Sequence, residues 1–116
     1  MRDYKKLEVW HKSYILGINI YSITKTFPKE EVYGLTSQMR RASISIPSNI
    51  AEGSRKSTDK DFKSFLHIAY GSCAELEVQV MYAKDFNYIS QEVSSSLLEK
   101  ISQVSRMLNS FIKTLS

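Results

Sequence analysis

An all-α chain, folded as an antiparallel up-down-up-down four-helix bundle, is the class this sequence predicts. Three observations carry the prediction. Only 4 of the 116 residues are glycine and 2 are proline, too few for the turns of an all-β sandwich. Four long segments repeat apolar residues every three or four positions, the period of a helix with one side covered. The breaks between them are short, and short loops join antiparallel neighbours. The length fits one domain over 1–116, and 42% hydrophobic with 24% charged residues excludes disorder and fibrous repeats.

Helix 1 is expected over about 4–26, and it carries two apolar rows. Leu7, Trp10, Tyr14, Ile18 and Tyr21 form one; Leu16, Ile20, Ile23 and Phe27 form the other, on a different face. One row would face the core of a single bundle, so two rows predict that copies of the chain cover one another. Trp10, Tyr14 and Tyr21 are therefore read as packing or interface, where aromatic side chains dominate contacts. Phe27-Pro28 breaks the helix, because the residue before proline avoids helical angles.

Helix 2, about 33–52, carries Leu35, Met39, Ala42, Ile46 and Ile50, with a kink expected at Pro47 and a stop at Gly53. Thr58 with Asp61 is a capping-box-like start for helix 3, about 59–86. Its row is Phe62, Phe65, Ala69, Cys73, Leu76, Val80 and Ala83, and Gly71 with Ser72 is expected to let helices approach closely. Asn87 or Ser90 ends that segment, and Ser90 caps helix 4, about 91–115. Val93, Leu97, Ile101, Val104, Leu108, Phe111 and Leu115 give it a coiled-coil-like seam, the cleanest signal in the chain. Serine is spread through the helices and reads as small-residue packing and solvated surface.

The formal net charge is +4 and it is unevenly placed. An antiparallel bundle gathers Arg2, Lys5, Lys6, Arg55, Lys56, Lys60, Lys63 and Lys113 at one end. Facing them there are Asp3, Glu8, Glu52, Asp59 and Asp61. Such an end can hold phosphates by charge and counterion release. A solvated helix surface is the plainer account, since no aromatic residues interleave the cluster for base stacking.

The segment RRASISIPSNIAEGSRK, 40–56, is the most unusual stretch. If helices 2 and 3 fold back near residue 56, Arg40 or Arg41 lies level with Ser72 to Glu75. Glu77 interrupts an apolar row, so an Arg–Glu network between the two helices is the preferred reading, with phosphate binding by Arg40 and Arg41 the alternative. Asn49 and Glu52 are expected to tie down the turn that follows. No metal site is expected: Glu8 and His11 make one Glu-x-x-His step, but a di-metal bundle needs a second, and His67 has no such partner. Cys73 lies on the core row of helix 3 and reads as a small hydrophobe; His67, six residues away, is on another face, which rejects a Cys–His nucleophile. One cysteine permits no internal disulfide and fits a reducing cytoplasm, and neither a membrane span nor a secretory signal is evident.

These residues resemble a known family. YKKLEVWHKS at 4–13, FPKEEVYGLTSQMRRASISIPSNIAEGSRK at 27–56 and FLHIAYGSCAELEVQV at 65–80 are similar to the four helix bundle protein family, also called the 23S rRNA intervening-sequence or S23-like family. The likeness spans nearly the whole chain, although helix 4 matches only in pattern. It implies a bacterial cytoplasmic protein forming a homopentameric ring, with no established enzymatic activity and no cofactor. It further implies a similarity to the accessory variability protein of diversity-generating retroelements, for which nucleic-acid binding is expected. The family's motif positions fall on Arg40, Arg41, Ser45, Ile46, Asn49, Ile50, Ala51, Glu52, Gly53, Gly71, Ser72, Glu75 and Glu77. The expected function is thus a non-enzymatic oligomeric bundle binding RNA or DNA backbone through Arg40, Arg41, Arg55, Lys56, Lys60 and Lys63, with Asn49, Glu52, Gly53, Glu75 and Glu77 structural. A protein-interaction scaffold meeting its partner through helix 1 is the alternative, and a metalloenzyme a weaker third.

Overall fold

Leu7 ends a first short turn and the chain becomes helical at Glu8, four residues after the start expected at about residue 4. The computed structural model describes residues 2–115; the ends of the expected 1–116 domain, Met1 and Ser116, lie outside the described residues. Before Glu8, Asp3 accepts from the Lys5 amide at 3.0 Å and caps a 3-10 turn over Tyr4–Lys6. Leu7 is extended, so the turn and the helix are separate elements. The α-helices are α1 (Glu8–Thr24), α2 (Leu35–Ser54), α3 (Asp59–Asp85) and α4 (Gln91–Thr114), with a second 3-10 turn at Lys29–Glu31. Among the described residues there is no strand, and no helix is long and apolar enough to cross a membrane.

Each helix start follows from a local polar group. The Thr58 hydroxyl accepts from the Asp61 amide at 3.1 Å, and Ser90 does the same for Val93 at 3.1 Å. Gly34 has no side chain to cap α2, and the Glu31 carboxylate accepts from the Leu35 amide at 3.0 Å instead. Its second oxygen accepts from the Tyr88 hydroxyl at 2.7 Å, which ties the first turn of α2 to the α3–α4 connection. Asn87 takes a left-handed conformation (φ 64°), which asparagine tolerates better than most residues, and α3 ends there.

The seams meet in one apolar core. Leu16 and Ile20 of α1, Met39, Ile46 and Ile50 of α2, Phe62, Leu66, Leu76 and Val80 of α3, and Leu97, Ile101, Val104 and Leu108 of α4 are all buried. Cys73 lies among them with no exposed surface. Facing pairs identify the neighbours: Arg40 reaches Thr24, Ser45 meets Ser72, Phe62 packs on Phe111, and Asn19 shares a groove with Val93. Buried Ser13 and Ser43 return their hydroxyls to carbonyls of their own helices, at Trp10 and Arg40, so small polar residues pack without unpaired groups.

Pro47 is buried inside α2 and the helix continues past it to Ser54, since one forgone hydrogen bond does not outweigh the packing of its ring. Two expectations change on contact with the structure. Gly53 does not end the helix and needs no left-handed backbone. It is a close approach: a β-carbon there would lie 2.8 Å from atoms of both Phe62 and Phe65 and 3.2 Å from the Phe62 carbonyl oxygen. Gly71, expected to play that part, has nothing near its missing side chain and is exposed.

Candidate nucleic-acid interface

The corner where α2 ends and α3 begins carries the basic cluster. Arg55 and Lys56 follow α2 directly, and Lys60 and Lys63 sit on the first turns of α3. The amide of Arg2 donates to the Ser54 carbonyl at 3.3 Å, which brings the N-terminal segment with Lys5 and Lys6 to the same corner. Among the described residues Arg2 is the one cation there with an acidic partner, Asp59 at 3.2 Å. The pair is about 40% exposed on each side, so it contributes little to stability.

Aromatic residues do underlie this cluster, contrary to the reading of the linear sequence. Arg2 lies over Phe62 at 5.1 Å, Arg55 over Tyr4 at 5.5 Å, and Lys56 over Phe65 at 5.1 Å. Phe62 and Phe65 flank Lys63 in the sequence itself, and the fold brings Tyr4 in from a distant position. Each ring has a cation over one face and so orients positive charge, and Phe62 is itself buried.

Arg40 and Arg41 part company. Successive helical residues point about 100° apart, so only one of them faces α3. Arg40 turns to α1: its Nε donates to the Thr24 hydroxyl at 2.9 Å, Nη2 donates to the Tyr21 carbonyl at 3.4 Å, and the guanidinium stacks over the Tyr21 ring at 4.5 Å. The expected Arg–Glu network is therefore absent among the described residues. Arg40 is occupied within the chain and lies some 22 Å along α2 from Arg55, at about 1.5 Å per residue. The six candidate cations do not form one patch; Arg55, Lys56, Lys60 and Lys63 do share a corner.

Arg41 is exposed and faces α3 across a polar cleft of about 290 Å³, lined also by Gln38, Ala42, Ser45, Ser72, Glu75 and Gln79. The Ser45 and Ser72 hydroxyls share a 2.9 Å hydrogen bond at one end, and the Asn49 amide donates back to the Ser45 carbonyl at 2.8 Å and hydroxyl at 3.0 Å. Asn49 thus secures the helix interface and not the following loop. Glu52 and Glu75 are exposed and Glu77 is half-buried, without ion pairs among the described residues. Gln79 was not singled out from the sequence, although its spacing from Ser72 and Glu75 places it on the same face. Its Oε1 is buried with no hydrogen-bond partner, an arrangement that costs about 1–3 kcal/mol when left unmade.

The remaining candidates have structural roles. Burial pushes the Cys73 thiol up to about 12, and the nearby Glu77 carboxylate adds to the effect, so this sulfur is protonated and unreactive at neutral pH. His11 Nε2 is 2.7 Å from the Lys5 carbonyl, where it serves as a donor and fastens the N-terminal turn to α1. Among the described residues no group of three or more His, Cys, Asp or Glu side chains converges as metal ligands would.

Comparison with known proteins agrees with this architecture. A structure from Bacteroides thetaiotaomicron VPI-5482, described as a protein with unknown function from the S23 ribosomal protein family, matches with a TM-score of 0.82. The two are 25% identical, and the match covers 90% of this chain and 98% of that one. No curated protein matches the chain. Residues 5–110 match the model of the 23S rRNA-intervening sequence proteins, and with four helices over that same span the chain belongs to this family.

Proposed function

We propose that the chain is a non-enzymatic, single-domain, up-down-up-down bundle that assembles with copies of itself and binds the backbone of RNA or DNA. The observation that carries the nucleic-acid reading is the α2–α3 corner. Arg55, Lys56 and Lys60 are exposed there, Lys63 is half-buried, and none has an acidic partner among the described residues. Such cations bind phosphates without reading sequence, and their contribution weakens with salt. Arg40, held by Thr24 and Tyr21, takes no part, and Arg41 lies apart from the corner.

Assembly is supported by two apolar faces on different helices. Tyr14, Ile18 and Tyr21 of α1 are 51%, 55% and 41% exposed and border a groove with Ile44 and Pro47 of α2. Ile68, Val78, Met81 and Tyr82 line the outer side of α3, each more than half exposed. Two unlike faces meeting head to tail generate a ring where the rotation between copies closes and a filament where it does not; the family resemblance suggests a closed ring of five. A ring places one basic corner per copy around a common rim, and its cytoplasmic setting fits the single unpaired cysteine.

Fluorescence titration with RNA and with duplex DNA across salt tests the reading. Binding should fall with salt, with a log–log slope of roughly −0.9 per phosphate contacted on DNA. Lys56→Glu with Lys60→Glu should flatten that slope by about two contacts, while Arg40→Gln leaves it unchanged. No binding at low salt, or binding indifferent to salt, would reject it. The α1 face also suits a protein partner. A pull-down that survives nuclease and high salt, together with no nucleic-acid binding, would establish that second reading.

A further inference from the structure

The N-terminal strap, residues 2–7, lies outside the four helices, yet it is fastened along its length. The Arg2 amide donates to the Ser54 carbonyl at 3.3 Å, and the Arg2 guanidinium meets Asp59 at 3.2 Å and the Phe62 ring at 5.1 Å. The Tyr4 ring lies under the Arg55 guanidinium at 5.5 Å and edge-on to Trp10 at 5.0 Å. His11 Nε2 donates to the Lys5 carbonyl at 2.7 Å, and the Lys5 amide donates to the Asp3 carboxylate at 3.0 Å. Both backbone groups of Lys5 are thus bonded, while its side chain is exposed.

That side chain borders a surface hollow of about 370 Å³ between the strap and the end of α2, lined by Arg2, Asp3, Lys5 and Arg55. Arg2 is paired with Asp59, and the Asp3 carboxylate is engaged by the Lys5 amide. Lys5 and Arg55 have no acidic partner among the described residues. A backbone phosphate carries two unesterified oxygens, which suit a guanidinium fork and an ammonium side by side. Lys6 follows in a turn of three residues, points about 120° away from Lys5 and does not line the hollow. We propose that Lys5 takes a backbone phosphate together with Arg55, a role that rests on the nucleic-acid reading of the α2–α3 corner. Tyr4 and His11 are its positioning residues: Tyr4 fixes the Arg55 guanidinium beside the strap, and His11 fixes the Lys5 backbone. A cation whose backbone is held beforehand loses less conformational entropy on binding.

The test is a salt titration of the full chain and its variants with short duplex DNA. Lys5→Gln should reduce the log–log slope by about 0.9, the share of one phosphate, and Lys6→Gln by clearly less. Tyr4→Ala with His11→Ala leaves every cation of the corner in place and should lose the same contact, with the helical circular-dichroism signal and the mass by light scattering retained. Tyr4→Phe with His11→Gln keeps a ring under Arg55 and a donor for the Lys5 carbonyl, and should restore the parent slope. Backbone NMR relaxation over residues 2–6 should show the strap loosened by the alanine pair and ordered in the conservative pair. A parent that binds with a salt-dependent slope which Lys5→Gln leaves unchanged, or which Lys5→Gln and Lys6→Gln lower equally, overturns the proposal and leaves the corner standing. A strap that stays ordered in the alanine pair, or loosens without a change of slope, removes the positioning roles. A parent that binds no nucleic acid at low salt removes the corner and the strap together.

Discussion

Helix α4 and helices α1 and α3 solve the same packing problem with different surfaces left over. α4 buries Leu97, Ile101, Val104 and Leu108, and its outer side is Ser95, Ser96, Glu99, Lys100, Gln103, Asn109 and Ser110, all exposed. α1 buries Leu16 and Ile20 equally well, yet its outer side is Tyr14, Ile18 and Tyr21. α3 repeats the pattern with Ile68, Val78, Met81 and Tyr82 outside. Single exposed apolar residues are ordinary, but runs sharing one helical face are not. The contrast separates a helix whose outer side is polar from two that present apolar outer sides.

Equivalent truncations on the two kinds of face give the largest expected difference. Ile101 is fully buried, so Ile101→Ala should cost about 2–5 kcal/mol in urea unfolding, the range for deleting a core isoleucine. Ile18 is 55% exposed, and Ile18→Ala should change the stability of the single chain by no more than about 0.5 kcal/mol. Ile18→Glu should leave the helical circular-dichroism signal intact and reduce the mass seen by light scattering to one chain. Equal costs for the two alanine variants would erase the distinction between the faces.

The glycines sharpen it at smaller scale. Gly53→Ala forces a methyl group to within 2.8 Å of Phe62 and Phe65 and should cost about 1–3 kcal/mol by overpacking. Gly71→Ala meets open space on a regular helix and should stabilise the single chain by about 0.5–1 kcal/mol. If copies approach each other at the outer side of α3, the same variant weakens association while raising helix stability. A variant that weakens neither would place the contact elsewhere.

The helices were legible in the sequence because their period is local: α3 and α4 start at Thr58 and Ser90 as their capping residues dictate, and the α4 seam is buried as its spacing requires. Direction around a helix was harder. Counting back from residue 56 sets Ser45 opposite about 67–70, whereas it meets Ser72, so α2 and α3 turn back a little later than expected; level also does not say that Arg40 faces α1. The close approach at Gly53 depends on where Phe62 and Phe65 arrive, which no local pattern of α2 encodes. Both rows on α1 were visible in the sequence; the fold buries Leu16 and Ile20 of one and leaves Tyr14, Ile18 and Tyr21 of the other open. Arg55, Lys56, Lys60 and Lys63 share the α2–α3 corner; of the rings beneath its cations, Phe62 and Phe65 flank Lys63 in the sequence, and Tyr4 is joined only by folding.

The smallest effect separates the stability of the chain from that of any assembly. Glu31 and Tyr88 bond within one chain, so their bond reports first on folding; Tyr88 meets the outer face of α3 only through Phe86, whose ring lies 5.7 Å from it and 5.6 Å from that of Tyr82. The Leu35 amide and the Tyr88 hydroxyl, donating to the Glu31 carboxylate, hold it below its ordinary value of 4.5. Its contribution is therefore fully present above 4.5 and is lost as pH falls through the lower, folded value. The same bond raises Tyr88 above 10.0, so that contribution is present below 10.0 and is lost as pH rises through the raised value. Urea midpoints should be level between those limits as far as this pair is concerned. Glu31→Gln keeps an acceptor for Leu35 but removes the titrating charge, and the decline from pH 5 to pH 2 should be shallower than in the parent chain. Tyr88→Phe should reduce that decline by less, because the Leu35 amide, the larger cause of the shift, remains. An unchanged acid limb in both variants would mean that the carboxylate is not bonded in solution, and the first turn of α2 would then need another cap.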